Sequence, residues 1–193
     1  MFPVPPVVAM KSSVQQKLRL VYLLFICLAL LLPARAFAAY SFSIDSARIQ
    51  GALLMHFPLR EYTAAARLSL LEPAVILRQG ADNLQLDIPV VASISGVGRK
   101  RGQLVVDVGL HYKPASGELF LGIPTIRRFD MAEISPQQRQ TFRANLSDIV
   151  LKTLPLVRIH RVREEDLNHS LAMSEMKAVQ IEDGRLRVSI GFD

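Results

Sequence analysis

The chain has 193 residues, half of them hydrophobic, and 23 Lys and Arg against 17 Asp and Glu give a formal net charge of +6. Four basic residues and no acidic residue lie in the first 38 positions, so the remainder carries 19 basic and 17 acidic residues, a net charge of +2. This balance disfavours a nucleic-acid-binding class. The remaining length suits one domain with one core.

The first 38 residues have the layout of a secretory signal peptide. Basic residues precede an uncharged apolar run, 20–32, and Pro33 and a stretch of small residues follow it. As a helix, this run would extend ~20 Å, against the ~30 Å of a bilayer core, so a retained anchor is the weaker alternative. We predict cleavage after Ala38, which makes 1–38 a signal peptide and 39–193 a single periplasmic domain without a stable membrane span.

Cys27 is the only cysteine, and it lies inside the apolar run directly after Ile26. Bacterial lipoprotein acylation needs a small residue before a cysteine at the end of the run, so lipoprotein anchoring is disfavoured. Cleavage would leave a chain without cysteine, which excludes disulfides, thiol catalysis and cysteine-ligated metal. Met10 is an alternative start to Met1, because 1–9 carries three prolines and no charge.

The first predicted elements after the cut are a strand and a short helix. Residues 40–44 alternate in polarity, which indicates a strand, and Asp45 is a suitable N-cap for the helix that follows. Ile49, Leu53 and Phe57 recur every four residues and form one helical face. The proline after Phe57 ends this helix.

Four strands are predicted next, because apolar residues alternate with polar ones. These segments are 67–78, 83–95, 103–112 and 117–126. Pro73 implies a bend, a bulge or an edge position in the first of them. Short connections rich in turn residues join the strands and imply an antiparallel meander.

A long helix is predicted to begin after Ser135, because Pro136 suits the first helical position and Gln138 completes a capping-box pattern. Pro155 ends it. A short strand over 157–162 and a short helix over 164–173 follow. A hairpin around Asp183-Gly184 closes the chain.

These elements together predict an α+β fold. One long twisted antiparallel sheet would wrap around the long helix, with a short N-terminal helix and the closing hairpin beside it.

No catalytic or cofactor motif is present: the sequence lacks a Gly-rich phosphate loop, a His-Glu-x-x-His motif and a Gly-x-Ser-x-Gly elbow. The four histidines do not have metal-ligand spacing. Asp87, Asp107 and His111 are predicted on the outer face of neighbouring strands. Asp107 and His111 would stand ~13 Å apart, too far for a hydrogen bond, so a solvated surface is favoured over catalysis. We predict no enzymatic activity, no cofactor and no metal.

A basic cluster, Arg99, Lys100 and Arg101, lies between glycines and is predicted at a hairpin tip. A solvated turn is the simplest interpretation. The functional alternative is contact with lipid headgroups or with a protein partner. Nucleic acid is disfavoured because no aromatic residues are interleaved with the charges.

The apolar face of the sheet supplies the main candidate site, a groove between sheet and helix. The two predicted walls are Leu86, Ile88, Val106 and Val108 on the strands, and Phe142, Leu146, Ile149 and Val150 on the helix. A buried methylene contributes ~0.8 kcal/mol, so a chain of ~16 carbons would gain on the order of 10 kcal/mol before ordering costs. A closed, fully packed core is the alternative.

The order of these elements and three local patterns resemble the YceB-like family of bacterial envelope proteins, a domain of unknown function. The patterns are Phe42-Ser43-Ile44-Asp45, Gly117-Glu118-Leu119-Phe120-Leu121 and the segment 179–188. The resemblance spans about 40–192. It implies a sheet wrapped around a long helix, akin to tubular lipid-binding and BPI-type half-domains, and binding of a hydrophobic ligand by fold analogy.

The resemblance transfers no catalytic residue to this chain. Family members carry an acylated N-terminal cysteine, which this chain lacks at its predicted cut, so membrane tethering by lipid is not implied here. We predict a periplasmic, non-enzymatic protein that binds lipid or another hydrophobic ligand between sheet and helix. The alternative is an envelope structural or interaction protein with a closed core, which docks a partner through its sheet edge or the basic cluster.

Overall fold

The computed structural model describes residues 40–63, 66–167 and 170–192. The predicted signal peptide, its cleavage site and Cys27 lie outside the described residues. The elements below belong to one unit, Ala38–Asp193. Among the described residues, none of the helices has the length and hydropathy needed to cross a membrane.

Ten strands and three α-helices make up this part of the chain. The strands are β1 (Tyr40–Asp45), β2 (Leu59–Tyr62), β3 (Ala66–Leu70), β4 (Ala74–Ile76), β5 (Leu84–Ile94), β6 (Gly98–Lys113), β7 (Glu118–Met131), β8 (Arg158–Arg161), β9 (Ser174–Glu182) and β10 (Arg185–Phe192). The helices are α1 (Ser46–Leu54), α2 (Pro136–Thr153) and α3 (Glu164–Leu167), and 3₁₀ turns occur at Pro114–Ser116, Leu154–Leu156 and Leu171–Met173.

The strands form two antiparallel sheets, and the fold is α+β as predicted. The larger sheet has the order β2-β3-β5-β6-β7-β8, with β4 also paired to β5, and it curls into a half-barrel. The smaller sheet has the order β1-β10-β9. The predicted long antiparallel meander is confirmed in the larger sheet, whereas the pairing of β1 with the closing hairpin in a second sheet is not predicted. Period-two patterns identify strands, but they carry no information on which strands share a sheet.

The meander was predicted well in its centre and less well at its start. The predicted strand 67–78 is two strands, β3 and β4, which pair with two parts of β5 on either side of the interruption at Pro73. The edge strand β2 was missed, because its short exposed sequence does not alternate. The first helix ends at Leu54, before the predicted Phe57.

The ends of the two main helices test the capping predictions. At α2, Gln138 N donates to Ser135 Oγ at 3.2 Å and Ser135 N donates to Gln138 Oε1 at 2.8 Å, which confirms the capping box. At α1, Asp45 does occupy the N-cap, but its side chain makes no capping hydrogen bond. Its carboxylate instead lies 2.9 Å from Arg185 of β10.

One core joins both sheets and the helices. It contains Ile49 and Leu53 of α1, the inner side chains of the larger sheet, and Leu186 of β10. Each of these fully buried aliphatic side chains stabilises the fold by roughly 1.5–3 kcal/mol relative to an exposed one. The core therefore spans the two sheets.

Polar contacts close the junction between the sheets. Ser174 Oγ of β9 donates to Leu171 O at 2.6 Å and lies 2.8 Å from Tyr112 Oη of β6. Because the single serine proton goes to the carbonyl, the tyrosine hydroxyl is the donor in the second bond. At the other end of β9, Ile181 O accepts a backbone hydrogen bond from Gly80 N, and Ile181 N donates one to Ala81 O.

Gly117 is held in the left-handed region at a second close contact. Its φ is +66°, its carbonyl accepts a 2.8 Å hydrogen bond from Val162 N, and a Cβ here would lie 2.3 Å from Val162 O. Gly184, in the β9–β10 turn, has a φ of +70° and no atom within 4 Å of a Cβ. The two glycines thus share a conformation and differ in surroundings.

We predict that Gly117→Ala destabilises the protein by about 2–4 kcal/mol, because a backbone clash adds to the cost of the left-handed conformation. Gly184→Ala is the matched control and should cost only about 1 kcal/mol. Urea unfolding midpoints of the two variants measure the difference. Equal losses would contradict the close packing assigned to Gly117.

Candidate functional site: the outer face of the larger sheet

The eight side chains predicted to line a groove are all buried in the core. Their exposed fractions are 0% for Leu86, Ile88, Val106 and Leu146, 1% for Val108 and Val150, 4% for Phe142 and 9% for Ile149. An open groove along these walls would leave their side chains accessible. The burial of these side chains therefore indicates no open groove, apart from a small opening that Ile149 lines beside β2.

The opposite face of the same strands carries a polar concavity, which we call the polar cleft. Its volume is about 660 Å³. Side chains of β5, β6 and β7 form it together with the loop after β4. Its lining residues are Ile76, Arg78, Ala81, Asn83, Gln85, Asp87, Val105, Asp107, Arg127 and Arg128. It falls within the roughly 300–1,000 Å³ range of ordinary ligand pockets.

The register of the strands explains why these residues converge. Gln85 of β5 lies opposite Asp107 of β6, and Asp87 lies opposite Val105. Residues two apart on a strand share a face, so these residues point outward. The residues between them on each strand point into the core. A bulge in β7 at Arg127 brings two consecutive arginines to the rim.

Most charges in the polar cleft are already paired within the protein. Arg127 Nε forms an ion pair with Asp107 Oδ2, and Gln85 Nε2 donates to Asp87 Oδ1 at 2.7 Å. Arg128 lies 2.8 Å from Asp130. Arg78 differs, since it is exposed and makes no ion pair with any residue that the structure describes. Its guanidinium is the group in the cleft that is available to an incoming carboxylate or carbonyl.

The predicted polar group is only partly brought together. Asp87 and Asp107 line the same cleft, as their shared face predicted, while exposed His111 lies further along β6 and outside the lining. The three arginines of the cleft were missed. The Arg127-Arg128 pair is visible in the sequence, but the bulge that directs both towards the cleft is not. Within the described ranges, no group of three or more His, Cys, Asp or Glu is placed to hold a metal ion.

The basic cluster does not lie at a hairpin tip. The turn is formed by 95–97, and Arg99, Lys100 and Arg101 belong to β6. Successive side chains of a strand point to opposite faces, so the three do not lie on one surface. Lys100 faces the inner side opposite Ala92 and forms an ion pair with Glu133, whereas the two arginines point outward. Lys100 is therefore not among the residues that we propose for contact with lipid headgroups or a protein partner.

Comparison with protein families and with curated proteins identifies no relative of this chain. No protein-family model matches the chain, and none of the curated proteins is significantly similar to it. The resemblance to the YceB-like family stays a prediction.

Among the described residues, His160 of β8 is a half-buried histidine with a lowered pKa. Its ring stacks on Phe42 of β1 at 4.4 Å between centroids, and its Nδ1 is buried without a hydrogen-bond partner. Burial lowers the pKa of His160, the positive charge of Arg48 lowers it further, and Asp166 opposes both. The imidazole thus links the edges of the two sheets in its neutral form.

We predict that acidification below about pH 6.5, the ordinary histidine pKa, destabilises the protein. The unfolded chain takes up the proton there while native His160 stays neutral, so its contribution to stability is complete above this pH and is lost as pH falls towards the lowered native pKa. Thermal unfolding midpoints across this range measure the effect.

His160→Phe keeps an aromatic ring against Phe42 and should flatten the pH dependence between neutral and mildly acidic conditions. His111→Phe at an exposed position is the control and should leave the slope as in the wild type. An unchanged slope in His160→Phe would show that another group titrates.

Proposed function

We propose that this chain is a non-enzymatic interaction protein of the bacterial envelope, which docks a partner at the polar cleft. The observation that supports this choice is the contrast between the two faces of the larger sheet. The predicted groove walls are 0–9% exposed, while the polar concavity opens on the outer side of the same strands. Recognition from that side requires no opening of the core.

The chemistry of the cleft suits a polar protein segment. Arg78 offers five N–H donors and has no carboxylate partner among the described residues, and the Asn83 amide both donates and accepts. Val105 and Ile76, which also line the cleft, supply apolar contact. An extended segment with a carboxylate and free backbone groups would complement this arrangement.

Location and family membership form part of the same proposal. The basic, apolar and small-residue layout of 1–38 supports export to the periplasm. The YceB-like resemblance supports an envelope role. We also propose that the half-barrel sheet wraps around α2, because the apolar stripe of α2, Phe142 to Val150, belongs to the same core as the inner strand residues.

A photo-crosslinking amino acid in place of Asn83, introduced in the producing bacterium, tests the proposed docking. We expect a discrete protein adduct that depends on illumination. The same amino acid in place of exposed Gln137 of α2 is the control and should give none. Arg78→Glu should reduce the Asn83 adduct severalfold, whereas Arg143→Glu, an equal charge change on α2, should not. An adduct of equal yield from Gln137, or one indifferent to Arg78→Glu, would overturn the proposal.

The second candidate function is binding of lipid or another hydrophobic ligand between sheet and helix. A small opening between β2 and α2 favours it, with a volume of about 200 Å³ and Ile149 among its lining residues. This is below the roughly 300–1,000 Å³ of ordinary ligand pockets. An acyl chain would therefore have to separate α2 from the sheet, and the two candidate functions differ in that requirement.

A further inference from the structure

Four arginines lie together on the outer face of the larger sheet, at the end that carries the β5–β6 turn. We call them the arginine face. They come from three strands: Arg60 of β2, Arg67 of β3, and Arg99 and Arg101 of β6. All four are exposed.

Strand register places the four in two adjacent rows. Arg67 and Arg99 flank the same residue of β5, Ser93. Arg60 and Arg101 lie in the next row, with one residue of β3 and one of β5 between them. Strands are spaced by about 4.8 Å and alternate residues by about 6.6 Å, so four positive charges share a patch of roughly 14 by 7 Å.

The charge of this patch is not paired with a carboxylate in the described part of the protein. None of the four arginine side chains forms an ion pair or hydrogen bond with another described residue; the Arg67 side chain makes only a cation–π contact, 4.8 Å from the Tyr62 ring centroid. Six arginines elsewhere do form an ion pair with a carboxylate, namely Arg127, Arg128, Arg158, Arg163, Arg185 and Arg187, whereas the arginine face brings four unpaired ones together. A cluster of unpaired positive charges on an exposed sheet face is complementary to an extended anionic surface.

Two exposed side chains beside the patch favour a membrane over nucleic acid. Tyr62 is 63% exposed and Val97, in the β5–β6 turn, is 51% exposed. An aromatic and an aliphatic side chain next to basic residues suit the headgroup boundary of a bilayer. Single-stranded nucleic acid would need several stacking aromatics between the arginines, and Tyr62 stands alone there.

We propose that the arginine face is a peripheral docking site for membranes that contain anionic phospholipid. Guanidinium groups bind headgroup phosphates by paired hydrogen bonds, and Val97 and Tyr62 contact the headgroup boundary. This goes beyond the docking of a protein at the polar cleft, since it uses different residues, about 20 Å further along β6, and a different class of partner.

The test is cosedimentation with vesicles, using the protein as it is recovered from the expressing bacterium. Binding is expected to vesicles of phosphatidylglycerol and phosphatidylcholine in equal parts, to weaken at high salt, and to be absent with phosphatidylcholine alone. The double variants Arg99→Glu/Arg101→Glu and Arg60→Glu/Arg67→Glu should each bind at least about tenfold more weakly, because each basic side chain near an anionic surface contributes about a fivefold factor.

The control is Arg143→Glu/Arg161→Glu, which changes the net charge equally at exposed arginines outside the arginine face and outside the polar cleft. Its vesicle binding should stay within about twofold of the wild type, since only local charge acts within a Debye length. Unfolding midpoints of all variants establish that each is folded.

Several outcomes would overturn the proposal: no binding to phosphatidylglycerol vesicles, equal binding to both vesicle types, or equal loss in the control. Binding of single-stranded DNA with the same arginine dependence, and no vesicle binding, would reassign the face to nucleic acid. Vesicle binding without an Asn83 adduct would remove only the proposed protein docking, so the two proposals fail separately.

Discussion

Burial of the inner faces of β5 and β6 is the constraint on which the rest of this structure depends. Four inner side chains of these strands are 0% exposed: Leu86, Ile88, Leu104 and Val106. They belong to the single core that both sheets and α2 share. A one-residue slip between these strands would exchange inner and outer side chains, so burial specifies the register strongly. That register also places the alternate residues of the polar cleft and of the arginine face. Core packing and both proposed surfaces are thus consequences of one pairing.

The junction between the sheets explains how the core stays closed without a disulfide among the described residues, since Cys27 is the only cysteine. The smaller sheet covers one side of the core through apolar side chains of β10. The Tyr112 hydroxyl donates to Ser174 Oγ, which donates to Leu171 O, so both hydroxyl protons are used inside this junction, where an unpaired polar group would cost about 1–3 kcal/mol. Gly117 and His160 mark two further contacts, at which backbone and ring approach the neighbouring element closely.

Local patterns predicted much of the fold, and long-range pairing was the part they could not supply. The alternation of β5 to β7, the Ser135 capping box and the Asp183-Gly184 turn all depend on neighbouring residues, and each is confirmed. The division into two sheets and the edge strand β2 depend on distant partners. The sites follow the same rule: Asp87 and Asp107 share a face because alternation is local. The arginine face unites three strands and was not predictable beyond Arg99 and Arg101.

A closed space between sheet and α2 would place recognition on the outer face. Native mass spectrometry after gentle purification, combined with titration of a fluorescent fatty acid, distinguishes a closed interior from an open one. A closed interior predicts a ligand-free mass and no saturable uptake of the fatty acid. A co-purified lipid, or saturable uptake that Leu146→Trp abolishes by filling the interior, would contradict it and make the sheet–helix interface the functional site.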